Sequence, residues 1–388
     1  MMPLIFLSVT VLTFLMGQLG RISFGNQQVN LYVYEIPLIL YFVSLVVRYG
    51  MRPLRESVRK LDSVLLFFIL FFASFVIKMP SYSSQQNMVA FLYLLRLGFY
   101  IVVLIYGFYH AAKEKKLKAP VSRLLLGFST FILLTAIVQY LYYPDLRNLM
   151  YLGWDPHLFR VFGLFFDSSI AATVYGMLFI FFLSHSHIAK KYPWVRYLFL
   201  LLFLIILALT FARSAYIAFI MTLIYFLISR KKISRFLLIA GAFIAIVILI
   251  PKPWGESVNL MRRFSIESRI EDYQSAGKMW STAPLLGVGY NRVRYVREKM
   301  NIIEKNSPSH AAASFHSSFL IMVVTGGVFG LIAFCYLMIQ LAHLTPNAKY
   351  YMIYIAILSL ADNVFLHPFT LFVLMLILMY ERTHSSLE

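Results

Sequence analysis

Charge is scarce in this chain, and negative charge is scarcest. Only 13% of its 388 residues are charged, 16 of them acidic against 35 Lys or Arg. Soluble domains carry about a quarter charged residues, so an ordinary soluble domain is excluded. Cysteine is almost missing. Cys335 stands alone in an apolar run, which excludes a disulfide framework and zinc-ligand spacing and leaves the redox compartment unread. Internal repeats and low-complexity segments are absent, which argues against a solenoid or a disordered tether. No Gly-Lys-Ser/Thr follows Gly287-Val288-Gly289 and no strand-to-helix unit surrounds it. That excludes a phosphate loop and a dinucleotide fingerprint and leaves a tight turn.

What the chain has in abundance is apolar length. Hydrophobic residues make up 61%, and a membrane-spanning helix takes about 20 residues. Apolar stretches fall near 3–18, 31–47, 63–77, 88–110, 121–142, 158–184, 194–212, 214–229, 233–250, 316–342 and 350–380. The predicted fold is therefore all-α, a polytopic membrane protein with 11–12 transmembrane helices and one large helical outer loop. The count stays open because Asp362, Asn363, His367 and Pro368 interrupt the last stretch. The first stretch lacks a small-residue cleavage signal behind it and reads as a retained span. The organisation is 1–250 for the first nine spans, 251–315 for the loop, 316–384 for the C-terminal spans, and 385–388 as a cloning remnant.

The net charge of +19 is first a topological signal. Eighteen Lys or Arg fall in the connections at 48–60, 111–123, 185–196, 230–235 and 343–349, whereas the alternate short connections hold Arg21, Lys78, Arg147 and Arg213. The positive-inside rule then puts the N-terminus in the cytoplasm and 251–315 outside. Nucleic acid is not needed to explain the basicity. The loop holds ten Lys or Arg against six acids, and long loops cross regardless of charge, so its basicity needs another cause. Ile270, Tyr273, Gly277 and Trp280 recur at helical spacing, predicting a helix over 268–282 lying on the membrane. A turn at 284–289 and a basic helix through Arg292, Arg294, Arg297 and Lys299 follow.

Ionisable groups within spans cost about 2.5–3.5 kcal/mol each on insertion scales and mark functional sites by default. Glu35, Arg96, Arg160, Asp167 and Asp362 all fall toward the outer side, with no comparable group in the inner halves. This predicts a polar cavity open outward and roofed by the loop. Arg213, in a two-residue outer connection, is either an interfacial anchor or a bidentate grip for phosphate. His316 opens the span at 316–342, where the helix dipole would keep its ring neutral, as a general base requires; His310 is a weaker duplicate. His185 and His187 lie in a cytoplasmic connection with no carboxylate at ligand spacing, which speaks against a metal there.

Four segments in order resemble the O-antigen ligase and O-antigen polymerase superfamily of bacterial envelope glycosyltransferases. Arg160-Val161-Phe162-Gly163, running on to Asp167, is similar to its Arg-x-x-Gly-x-Phe stretch. Thr210-Phe211-Ala212-Arg213-Ser214-Ala215 is similar to its outer hairpin. Ser268-Arg269, then Trp280 and the Pro284-to-Tyr290 run, resemble its large loop. His316-Ser317-Ser318-Phe319-Leu320, followed by Thr325-Gly326-Gly327 and Gly330, resembles the start of its next span. Ser168-Ser169 stands where Pro-Asn is usual, and Ser317 replaces the usual Asn.

The resemblance implies an enzyme of the inner membrane that faces the periplasm. It would transfer a glycan from an undecaprenyl-diphosphate carrier to an acceptor hydroxyl on a glycan or glycolipid, with inversion and without metal or other cofactor. No Asp-rich pair typical of metal-dependent glycosyltransferases stands out in the outer loops. The resemblance makes His316 the base, Arg213 and Arg269 the diphosphate ligands, and Arg160 a substrate contact. Ligase and polymerase share the donor and differ only in acceptor, so both remain open. A flippase or transporter of lipid-linked oligosaccharides is the alternative, although the chain shows no paired halves.

Overall fold

A computed structural model describes residues 2–25, 28–58, 61–152, 157–185, 193–231, 233–250, 258, 264–303 and 314–384. His187, His310 and the 385–388 tail lie outside the described residues, as do 251–257, 259–263 and 304–313 of the large loop. Helix dominates, as a chain with too few polar groups to solvate its backbone in lipid requires. The helices are α1 (Met2–Phe14), α2 (Glu35–Tyr49), α3 (Arg52–Val58), α4 (Asp62–Lys78), α5 (Ser84–Lys113) and α6 (Lys118–Tyr142). There follow α7 (Ser168–Ser184), α8 (Pro193–Leu209), α9 (Arg213–Ser229) and α10 (Ile233–Leu249). The large loop supplies α11 (Phe264–Thr282) and α12 (Val293–Lys299), and the C-terminal part α13 (Ser318–Ala342), α14 (Ala348–Ser359) and α15 (Pro368–His384). The last apolar stretch is thus two helices rather than one kinked span. Among the described residues, four helical segments are long and apolar enough to cross a membrane: Asp62–Ser81, Ser84–Lys113, Lys115–Tyr142 and Ser318–Ala342.

The sheet among the described residues is a hairpin, Arg21–Phe24 against Val29–Tyr32, with Arg21 opposite Tyr32. It sits between α1 and α2, at the end of the bundle expected to face outward. Two helix starts at that end, those of α5 and α7, are capped by short polar side chains that accept orphan backbone N–H groups. Ser83 and Gln86 form a capping box on α5. Asp167 Oδ1 accepts from Ser169 and Ile170 at 2.7 and 3.0 Å at the start of α7. The stretch expected as a span over 158–184 is accordingly helical only from Ser168. Residues before it turn irregularly, with positive φ at Phe159, Gly163 and Phe166. Gln139 clasps this turn through its side chain, which accepts from Phe162 and Gly163 at 3.0 Å each.

The loop is docked by backbone. Helix α13 breaks at Gly327 (φ 65°, ψ −164°), and the 284–289 turn seats in the break. Val288 and Gly289 donate to the carbonyls of Val324 and Thr325 at 2.9 and 3.0 Å, and Val328 donates to Pro284 at 2.9 Å. Contact this close requires glycine on both sides. A Cβ on Gly287 would stand 2.3 Å from the Thr325 backbone, and one on Gly327 2.2 Å from that of Leu285. The tight turn read from the sequence is therefore a turn with a partner.

Helix α12 is bolted down beside this junction. Arg292, fully buried, lies 4.6 Å from the ring centroids of both Phe75 and Tyr82 and donates to Asn87 Oδ1 at 2.5 Å. Lys299 Nζ donates to the Ser81 carbonyl at 2.8 Å. Part of the loop's basicity is thus structural.

One expectation is overturned at the other end of the bundle. Ionisable groups are not confined to the outer side, because Glu381, at the end of α15, is 4% exposed. It accepts from Tyr351 at 3.1 Å and from Thr345, and lies 3.4 Å from His185 Nε2. His185 therefore does have a carboxylate partner, supplied from almost two hundred residues away, which sequence spacing does not reveal.

Candidate functional site

Helix α11 is the organiser. Asp272, Ala276 and Met279 follow one another at i, i+4 and i+7 and are buried, and the helix packs on α13. Ile270, Tyr273 and Trp280, the residues that predicted the helix, lie on its exposed side. The buried stripe places one carboxylate where an apolar residue would ordinarily go.

That carboxylate binds His316 twice. Asp272 Oδ2 accepts from the His316 backbone N–H at 2.9 Å and contacts the ring at Nδ1 at 2.6 Å. Its other oxygen accepts from Arg297 at 2.7 Å. Arg297 is itself fixed by the Ser314 carbonyl at 3.2 Å and by the Phe315 ring, 4.4 Å from its guanidinium carbon. Burial pushes the Asp272 carboxyl up, but the hydrogen bonds from His316 and the charges of His316 and Arg297 outweigh it, and the group is held below its ordinary value. Asp272 is an anion wherever the protein is folded near neutral pH. The carboxylate on Nδ1 orients the ring and sets its tautomer. The His316 side chain is 36% exposed while Asp272 is at 12%.

The helix-dipole argument for His316 takes a different form here. Helix α13 begins at Ser318, and Ser317 is its cap, accepting from the Leu320 N–H at 3.3 Å. His316 precedes the cap, and its environment is set by Asp272.

One helical turn before Asp272, on the same side of α11, Arg269 contacts Asp362 Oδ1 at 3.1 Å. Asp362 lies in the connection between α14 and α15, and its second oxygen accepts from Ser214 at the start of α9. Arg213, the residue before Ser214, is within electrostatic reach of both Arg269 and Asp362. Of the basic residues singled out in the sequence, Arg269 thus contacts this carboxylate and Arg213 lies within electrostatic reach of it. The connection carrying Asp362 is tied in by Tyr273, which donates to the Leu360 carbonyl at 2.9 Å, and by Ser317, which donates to the Ser359 carbonyl at 2.9 Å.

Arg160 is placed differently. It is 4% exposed, in the turn clasped by Gln139. The next residue, Val161, donates to the Leu209 carbonyl at 2.9 Å, which sets the turn beside the hairpin that bears Arg213. Asp167 is the α7 cap. Glu35 and Arg96 form a buried pair at 2.7 Å, joined by Tyr100 at 2.7 Å.

Sequence reasoning missed Asp272, Arg297 and Ser214. The available signal was Asp272 in register with Ala276 and Met279. Among the described residues no group of three or more His, Cys, Asp or Glu side chains could hold a metal ion. The arrangement offers an oriented imidazole and, one helical turn away on α11, a guanidinium paired with a carboxylate, with Arg213 in electrostatic reach. This can take a proton from a hydroxyl and hold an anion.

No curated protein matches the chain. A family model described as O-antigen ligase matches residues 198–335, the segment that carries Arg213, Arg269, Asp272, Arg297 and His316. The match covers three of the four segments whose resemblance the sequence showed, and makes this stretch of the chain similar to the O-antigen ligase family.

Proposed function

We propose that the protein is an integral membrane glycosyltransferase of the bacterial inner membrane. It moves a glycan from an undecaprenyl-diphosphate donor to an acceptor hydroxyl at the periplasmic face. The observation that carries the reading is the Asp272-held imidazole of His316, 2.6 Å from its carboxylate and one turn of α11 from Arg269.

In this reading the acceptor hydroxyl gives its proton to His316 Nε2 as its oxygen attacks the anomeric carbon. The bond from that carbon to the diphosphate oxygen breaks, and undecaprenyl diphosphate leaves with the electron pair. A single displacement inverts the anomeric centre. Asp272 stabilises the imidazolium that forms, as the carboxylate of a nucleophile–base–acid triad does. Arg213 and Arg269 meet the charge growing on the leaving group, and Asp362 holds Arg269 ready while no substrate is bound. The guanidinium fork suits this better than an ammonium because it can bind two phosphate oxygens at once. In this scheme the arginines take the charge-neutralising part that a divalent metal plays elsewhere.

The test is transfer by purified, reconstituted protein given undecaprenyl-diphosphate-linked glycan, with and without a second acceptor. His316→Ala should lower the rate by about 10²–10⁴, the usual share of general base catalysis, with unfolding temperature unchanged. Wild-type turnover in that variant refutes the base assignment. Chain growth from the donor alone identifies a polymerase, and dependence on the second acceptor a ligase.

A further inference from the structure

Away from these groups, at the basic end of the bundle, α1 and α6 run side by side with a groove of about 500 Å³ between them. Helix α1 packs chiefly on α2 and α6 chiefly on α15, and the groove is the wedge left between the two pairs. Its floor is Val11 and Phe128, both buried, with the Phe128 ring centroid 5.5 Å from that of Phe14. Its rims are Leu12 and Phe131, 65% and 42% exposed. Gly127 opens the slot, since among the described residues a Cβ there would meet nothing within 4 Å. The lining hydroxyl, that of Ser8, donates to the Leu4 carbonyl at 2.9 Å, so the wall it belongs to is effectively apolar.

Length and charge identify what fits. The groove runs from Leu4 to Leu15 on α1 and from Pro120 to Phe131 on α6, about 16 Å at the helical rise. One leaflet of a hydrocarbon core about 30 Å thick has nearly the same depth. The charged side chain of the lining, Arg123, stands at the mouth of the groove and is exposed. It turns back toward the start of α6, with its Nε 3.5 Å from the Ala119 carbonyl, the direction in which lipid headgroups lie. Among the described residues Arg123 enters no ion pair. The connection from Lys113 to Arg123 carries five basic residues against one acid, Glu114, and that acid is paired with Arg48. An apolar slot one leaflet deep thus ends at an uncommitted guanidinium in a basic collar.

We propose that the groove holds an acyl chain of an anionic phospholipid from the leaflet at this end, with the headgroup phosphate on Arg123. By the positive-inside rule that leaflet is the cytoplasmic one; the inference rests on that orientation and not on the glycosyl-transfer reading. Basic pockets between transmembrane helices on the cytoplasmic side are where anionic headgroups bind. A lipid lying loosely around the bundle would meet only apolar wall, whereas here the guanidinium adds selection by charge and a fork for two phosphate oxygens.

The experiment titrates full-length protein in a neutral detergent with dioleoyl-phosphatidylglycerol or dioleoyl-phosphatidylethanolamine and reads bound lipid by native mass spectrometry. Phosphatidylglycerol should be held about fivefold more tightly, the worth of one basic residue beside an anionic headgroup. Arg123→Gln should lose most of that preference. Gly127→Leu, which fills the slot, should lose most of the retention of both lipids without lowering the unfolding temperature measured in their absence. Equal retention of the two lipids by the wild type, undiminished preference in Arg123→Gln, or undiminished retention in Gly127→Leu overturns the proposal. Displacement of phosphatidylglycerol by glycerol phosphate also overturns it, since the groove would then contribute nothing. So does a two-chain mass in the wild type that Gly127→Leu reduces to one chain, because the groove would then be an interface between copies. None of these readouts involves turnover, so the assignment of His316 stands or falls separately.

Discussion

At one end of the bundle His316 meets Asp272 at 2.6 Å with 36% of the histidine side chain exposed; at the other, His185 meets Glu381 at 3.4 Å with 6% exposed. Both pairs unite residues distant in sequence, and both were expected to be expensive in a membrane protein. They differ in what surrounds them. His185 Nδ1 contacts the Phe181 carbonyl at 2.9 Å, and its Nε2 side faces Glu381, whose oxygens also accept from Tyr351 and Thr345. Rings of Phe181 and Tyr380 pack on the imidazole, with centroids at 4.9 and 5.2 Å. Such a pair fastens helix α7 to α15. His316 instead has its carboxylate locked from behind by Arg297 and its ring toward the surface. A buried ion pair is thus no mark of a site by itself; an oriented and reachable one is.

This contrast can be broken experimentally. Beyond His316 itself, the largest effect is expected at Asp272. Asp272→Asn should lower the transfer rate by about 10²–10³, within the span of general-base contributions, with little change in donor affinity. Because the Asp272 carboxyl is held below its ordinary value, its contribution to stability is complete above the unfolded-state value. It is lost only as pH falls through the lowered folded-state one. Loss of rate on acidification toward pH 5 should therefore report the imidazole. In Asp272→Asn that acidic limb should move to lower pH, since an adjacent anion favours the protonated ring. A limb that stays in place would show that the pair does not set the rate.

Next comes Arg213→Lys, expected to cost about tenfold in kcat/KM because an ammonium cannot reproduce the bidentate fork. Unchanged donor affinity and rate would remove Arg213 from the site. Gly327→Ala should act through stability. A side chain there requires a strained positive φ, worth about 1–3 kcal/mol, and a clash with Leu285. Both should lower the unfolding temperature and loosen the loop in protease-protection assays. Last, His185→Gln should leave transfer near the wild-type rate while lowering the unfolding temperature, since removing one partner of a buried pair costs about 3–5 kcal/mol. If transfer collapsed without loss of stability, the distinction between the two histidines would fail.

The membrane architecture was legible because lipid allows few solutions to a long apolar run. Arg213, Arg269 and His316 could be singled out as candidates because the segments that carry them are local in sequence. Asp272 was not, because a single acid on a polar helix looks solvated until its register with Ala276 and Met279 is noticed. The Glu35–Arg96 and His185–Glu381 pairs were illegible for a different reason: their partners are brought together by helix packing, which no short spacing encodes. The 158–184 stretch misled because the apolar residues of 158–167 pack as an irregular turn, with Gln139 and Leu209 meeting its backbone hydrogen bonds. The cap at Asp167 was there to be read.

The junction of Gly287 with Gly327 has a mechanical consequence. Asp272 belongs to the loop and His316 to the approach of α13, yet both are riveted to that helix, one through the seated turn and the other through the chain itself. If substrate tilts the outer part of α13, the two should move as one lever arm, and their 2.6 Å contact should survive the swing. Motion would then change what the imidazole reaches without disturbing how it is aimed.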